Sequence, residues 1–113
     1  MKILILDDEP DITFMLRGVF ENKGYEVYTA HSIEEAERQL VGIDILLSDY
    51  NLGYETSEKL LRNSNVPQKY LMSGDYNADV LIKNLIKEGV IQGFLRKPFM
   101  MEELDKVIKS ADK

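Results

Sequence analysis

Ile3-Leu4-Ile5-Leu6 stops at Asp7-Asp8, and Ile43-Asp44-Ile45-Leu46-Leu47-Ser48 stops at Asp49. Lys69-Tyr70-Leu71-Met72 stops at Ser73-Gly74, and Gly93-Phe94-Leu95-Arg96 stops at Lys97-Pro98. Three carboxylates brought together repel one another unless a cation neutralises them. Oxygen donors without His or Cys favour Mg²⁺ or Mn²⁺ over zinc or copper. Lys97 can pair with a carboxylate and also neutralise charge on a transferring phosphoryl group, while Ser73 can donate a hydrogen bond to one of its oxygens. Taken singly, each ending has an ordinary explanation. An Asp-Asp pair after a strand is more often a turn plus a helix-start acid, and a lone strand-end Asp, Ser or Lys is usually a cap or a solvated residue. The weight comes from four such endings in order, each after a different run.

These endings meet only if the runs are parallel strands of one sheet, whose C-terminal edge is where open α/β folds bind ligands. Apolar runs alternate with helical periodicity five times, which implies an α/β fold. A first helix is expected from Pro10, with Ile12, Met15, Leu16, Val19 and Phe20 inward and Gly24 as its stop. Strand two is Glu26 to Ala30, and Ser32-Ile33-Glu34-Glu35 has capping-box spacing for a second helix carrying Ala36 and Leu40 inward. The third run, Asp44 to Ser48, is apolar enough for a central strand covered on both faces. Residues 53–65 hold one weak helical stretch, Ser57 to Arg62, followed by a turn through Pro67. The fourth helix should bury Ala78, Leu81, Ile82, Leu85 and Ile86 and end at Gly89. The fifth, after Pro98, should bury Met101, Leu104, Val107, Ile108 and Ala111.

At 113 residues, 44% hydrophobic and 30% charged, the chain has the size and composition of one globular domain. A net charge of −6 argues against direct contact with nucleic acid. With no cysteine there is no disulfide, thiolate metal site or thiol nucleophile, which suits a reducing cytoplasm. No apolar stretch approaches the ~20 residues of a membrane span, and the apolar start is too short for a signal peptide. His31, the single histidine, reads as a solvated or capping residue.

Ile3 to Pro10, Leu46 to Leu52, Leu71 to Gly74 and Gly93 to Phe99 together resemble the receiver domains of two-component response regulators, over essentially the whole chain. The resemblance implies a flavodoxin-like, doubly wound sheet of five parallel strands in order 2-1-3-4-5 with five helices. It implies a phosphorylation-dependent switch in the cytoplasm, with Asp49 accepting a phosphoryl group from a sensor histidine kinase or a histidine phosphotransfer protein. Asp8 would ligate Mg²⁺ directly, Asp7 mainly through water, Asn51 through its backbone carbonyl, and Asp49 itself. Ser73 would move toward the phosphoryl group, Phe94 would turn inward behind it, Lys97 would bridge Asp49 and the phosphate, and Lys97-Pro98 would be cis. The fourth helix, fifth strand and fifth helix would then present an altered face to a downstream protein. No output domain, membrane or direct nucleic-acid partner is expected for residues 1–113, and no catalysis beyond the chain's own phosphorylation and dephosphorylation.

Departures from the family pattern cluster after Asp49. Gly53 and Ser57 stand where a Pro and a Gly are usual, and the stretch to Ser73 is short, so the third helix should be a stub. Ser73 replaces the commoner Thr, and Phe94 the commoner Tyr. Asp75 is read either as a cap of the fourth helix or as a group aligning water for hydrolysis. Other functions fit less well. A docking module of the same fold, indifferent to phosphorylation, is favoured only by the short third helix. A phosphohydrolase with its nucleophile after strand one would need an Asp-x-Asp pattern and a substrate cap. A flavin or nucleotide binder would need a Gly-rich loop after strand one.

Overall fold

A computed structural model describes residues 1–111, and the side chains as far as residue 107. In chain order the strands are β1 (Lys2–Leu6), β2 (Glu26–Ala30), β3 (Ile45–Asp49), β4 (Asn51–Leu52), β5 (Glu55–Thr56), β6 (Gln68–Ser73) and β7 (Gly93–Arg96). Five of them form a central parallel sheet in spatial order β2-β1-β3-β6-β7, while β4 and β5 pair apart from it. Counting the sheet strands alone, the order is the expected 2-1-3-4-5. Register pairs Ile3 with Val27 and with Ile45, Asp49 with Met72, and Ser73 with Arg96.

Alternation along each strand divides the interior into two cores. Ile3, Ile5, Ile45, Leu47, Tyr70, Met72 and Leu95 point to one face, where α1 (Pro10–Asn22) and α5 (Met101–Ala111) supply Leu16, Phe20 and Leu104. Leu4, Leu6, Leu46 and Leu71 point to the other, packed by α2 (Ile33–Glu37), α3 (Glu58–Asn63) and α4 (Asp79–Lys87) through Ala36, Leu60, Leu61, Ile82 and Leu85. Both faces of β3 are thereby covered, and all five of its residues are buried.

Helix limits follow local chemistry. Pro10 opens α1, where its missing N–H costs nothing. Gly24 just beyond it adopts φ +92°, a backbone conformation that only glycine enters cheaply. Ser32 caps α2 by accepting from the Glu35 N–H at 3.2 Å. The Glu35 carboxylate accepts in return from the His31 N–H, one residue before the expected capping-box partner.

Several inward positions are corrected. On α1 the buried line is Thr13, Leu16 and Phe20, while Met15 is exposed. Thr13 tolerates burial because its hydroxyl meets the Pro10 carbonyl and the His31 ring, each at 3.0 Å. Leu40 lies beyond the end of α2 and is half-buried, since that helix spans only five residues. Ile86 and Met101 are exposed, at the margins of stripes narrower than the apolar count suggested. Ile108 and Ala111 lie outside the described side chains.

The shortened third helix is present as six residues. The turn that precedes it departs from the expected loop. There β4 and β5 form an antiparallel hairpin around Gly53-Tyr54. Gly53 takes φ +73° and Tyr54 does not, the pattern of a type II′ turn. A Glu55 carboxylate oxygen accepts from the Ile33 N–H at the start of α2, at 3.4 Å. Lys69 fastens the far end of α3, its ammonium donating to the carbonyls of Leu61 at 2.6 Å and Ser64 at 2.7 Å. Among the described residues no helix is long and apolar enough to cross a membrane.

Candidate functional site

The parallel ladders bring the C-terminal ends of β1, β3, β6 and β7 to one edge. Asp7 follows β1 and is anchored by its N–H to the Ala30 carbonyl at 3.1 Å. Asp49 is the last residue of β3 and Ser73 the last of β6. Lys97 follows β7 and donates its N–H to the Ser73 carbonyl at 2.9 Å.

Asp7, Asp8 and Asp49 each present a carboxylate oxygen within 4.8 Å of the others. Asp7 is fully buried, Asp49 nearly so, and Asp8 faces solvent. The Lys97 ammonium bridges the two buried acids, 2.7 Å from Asp7 Oδ2 and 3.2 Å from Asp49 Oδ2. Asp7 Oδ1 accepts the Glu9 N–H at 2.9 Å, so both oxygens of this buried carboxylate are engaged. Burial pushes the Asp49 carboxyl up to about 6; Lys97 opposes that rise, and the charges of Asp7 and Asp8 add to it. Burial alone would lower the Lys97 ammonium, but the hydrogen bond to Asp7 and the charges of Asp49 and Asp7 outweigh it and raise its pKa. Three formal negative charges against one positive leave the cluster in deficit, and its donors are all hard oxygens. This set fits Mg²⁺.

Around the acids lies a second ring of polar groups. Ser73 is buried and its hydroxyl accepts the Asp75 N–H at 3.0 Å. Asp75 caps the 3-10 turn Tyr76–Ala78 that leads into α4, accepting the Asn77 N–H at 2.9 Å. Its other carboxylate oxygen sits 3.4 Å from the Asn51 side-chain amide, which donates to it across from the hairpin. Capping and a place beside the site are therefore not exclusive for Asp75. Phe94 is half-buried against the α2–α4 core, and the Lys97–Pro98 bond is cis. Two grooves of about 400 and 430 Å³ on the α2–α3 side are lined by none of these residues.

Sequence reasoning missed Arg96. Its guanidinium carbon lies 4.3 Å from the Tyr76 ring centre and 5.0 Å from that of Phe94, and it pairs with Asp79. The alternation of β7 was the available signal, since residues 94 and 96 share a face of the strand.

Residues 3–109 match the response regulator receiver domain. The chain belongs to that family. Among curated relatives, the nitrogen assimilation regulatory protein NtrX of Azorhizobium caulinodans is 32% identical over 110 residues, covering 90% of this receiver and 24% of that protein. The uncharacterized transcriptional regulatory protein YrkP of Bacillus subtilis is 30% identical over 91% of this chain and 46% of its own length. The receiver thus spans less than half the length of these two relatives. Among solved structures, a response regulator receiver domain protein from Clostridium thermocellum superposes with a TM-score of 0.82 at 28% identity, over 97% of this chain and 92% of that one. The five-stranded flavodoxin-like arrangement is shared with it. Receiver domains are regulatory units that bind Mg²⁺ at an acidic pocket, and a cluster of three acids, Asp7, Asp8 and Asp49, is present in this receiver.

Proposed function

We propose that this receiver is a phosphorylation-dependent switch in which the Asp49 carboxylate takes a phosphoryl group from the phosphohistidine of a sensor kinase or phosphotransfer protein. The observation that carries this reading is the Lys97 ammonium held between Asp7 and Asp49. In the transfer an Asp49 oxygen bonds to phosphorus, the phosphorus–nitrogen bond breaks, and the departing imidazole recovers a proton. Asp49 is suited to the nucleophile's place because it ends the central strand beside both an acid pair and a lysine. Asp8, Asp49 and the Asn51 carbonyl would hold Mg²⁺, with Asp7 acting mainly through water. When bound, that ion supplies positive charge shared between the carboxylates and the phosphoryl oxygens. Lys97 keeps one positive charge beside the transferred group whichever carboxylate it favours.

The Ser73 hydroxyl is the donor for a phosphoryl oxygen, and reaching it requires release of the Asp75 N–H. Phe94 then fills the space behind Ser73, altering the face of α4, β7 and α5 that a downstream protein recognises. Acetyl phosphate with Mg²⁺, read by intact mass, tests the assignment. The wild type is expected to gain one phosphoryl mass, labile to base and hydroxylamine, and Asp49→Ala to gain none. Phosphoryl mass on Asp49→Ala would overturn it.

A further inference from the structure

Arg96 stands between the acidic site and the face expected to carry its signal. Its backbone pairs with Ser73 across β6 and β7, and the next residue is Lys97. Its side chain is only 28% exposed and lies between two rings. Phe94 is on its own strand, whereas Tyr76 and Asp79 come from the segment that leaves Ser73 and enters α4. One guanidinium therefore ties the strand that enters the site at Lys97 to the segment that leaves it after Ser73. One of its nitrogens, Nη1, is buried without a hydrogen-bond partner. Such a donor opposes the arrangement while the two ring faces and the Asp79 carboxylate favour it.

We propose that Arg96 is a positioning residue that holds Phe94 and the start of α4 in the unphosphorylated arrangement, and so sets how readily the switch turns. The inference rests on the phosphorylation reading above. Arg96 is not assigned a catalytic role, since its ion pair is with Asp79, and the ammonium beside Asp7 and Asp49 is that of Lys97. In the proposed switch the Phe94 ring turns further inward, so its contact with Arg96 belongs to the unphosphorylated arrangement. A contact made in one state alone shifts the equilibrium toward that state by the full worth of the contact. Turning Phe94 inward breaks the contact and opens Nη1 to water, so the hold is one that a phosphoryl group can overcome.

Beryllofluoride with Mg²⁺ stands in for the phosphoryl group, and amide shifts titrated against it report half-saturation. Arg96→Ala is expected to reach half-saturation at about threefold to tenfold lower concentration than the wild type. In a Phe94→Ala background the same substitution should change it by a smaller factor, because one of the partners through which Arg96 acts is gone. Asp79→Asn keeps the guanidinium while weakening its anchor, should shift half-saturation in the same direction, and carries the test if Arg96→Ala does not fold. Half-saturation that is unchanged or raised in the variants overturns the inference. So does an equal effect with and without Phe94, which would mean that Arg96 acts only as a charge beside the site. A wild type that does not respond to beryllofluoride overturns the phosphorylation reading and this inference with it; a wild type that responds while the variants match it overturns the inference alone.

Discussion

At the scale of single residues, the proposed switch makes the polar groups around Asp49 candidates for setting how long a phosphorylated state would last. Asp75 is held by the Asn77 N–H and the Asn51 amide, while its own N–H occupies the Ser73 hydroxyl. In the proposed switch Ser73 turns toward a phosphoryl oxygen and releases that N–H, which would leave the Asp75 carboxylate beside the site with the Asn51 amide. Two such groups can orient a water for attack on phosphorus. Asp75→Leu is expected to slow decay of the phosphorylated form by about tenfold, as followed by loss of phosphoryl mass with time. An unchanged decay rate would leave Asp75 as a cap alone. Asp7, Asp8, Asp49, Ser73 and Lys97 were legible from position, because each stands where an apolar run stops. The hydrogen bond from the Asn51 amide to Asp75 was not, and neither was the tie of Arg96 to Tyr76 and Asp79, because in both cases the partners lie on another element.

At the scale of elements, the stretch between β3 and β6 departs furthest from what periodicity conveyed. The expected stub of α3 is there, but the chain reaches it through a hairpin of two-residue strands, too short for any periodic signal. Gly53-Tyr54 was the readable clue, since a Gly-X pair between short runs favours a type II′ turn. The long apolar runs of β1, β3 and β6 were legible because a strand covered on both faces needs nearly continuous apolar residues. Margins of the helical stripes were not, because burial of Thr13 in place of Met15 depends on the His31 ring just beyond β2. With only six residues, α3 depends on its end contacts. Lys69→Met keeps the aliphatic stem and removes the ammonium from the Leu61 and Ser64 carbonyls. It should cost about 1–3 kcal/mol in denaturant unfolding, with faster amide exchange confined to α3.

At the scale of the whole molecule, the fold gathers charges that separate on unfolding. The Asp49 carboxyl is raised from 3.8 to about 6 in the native state, so the fold favours its protonated form. The stability this contributes is fully present below pH 3.8 and is lost as pH rises through about 6. Without a divalent ion, the ionised carboxylate therefore costs on the order of 2–3 kcal/mol at neutral pH. Asp49→Ala should melt higher than the wild type in EDTA near neutral pH, and the gap should close as the solution is acidified below the native value. Other acids titrate in both proteins and largely cancel in the difference. Millimolar Mg²⁺ should raise the wild-type melting temperature and raise that of Asp49→Ala less, because the ion binds the assembled site and not the dispersed acids. A variant that melts lower in EDTA and gains as much from Mg²⁺ as the wild type would mean that the three carboxylates do not act as one site.

The parallel connectivity also sets the order in which the charges of the site are made. The partners of β1, residues 26–30 and 45–49, are made after it, and in the finished sheet these three strands form a contiguous half. That half-sheet carries Asp7, Asp8 and Asp49, whereas Lys97 follows β7, at the opposite end of the sheet order from β2. On the ribosome all three acids are thus made well before their counter-charge. The pairing of β7 with β6 is what sets the ammonium beside those acids, so the charge balance of the site depends on the strand made last.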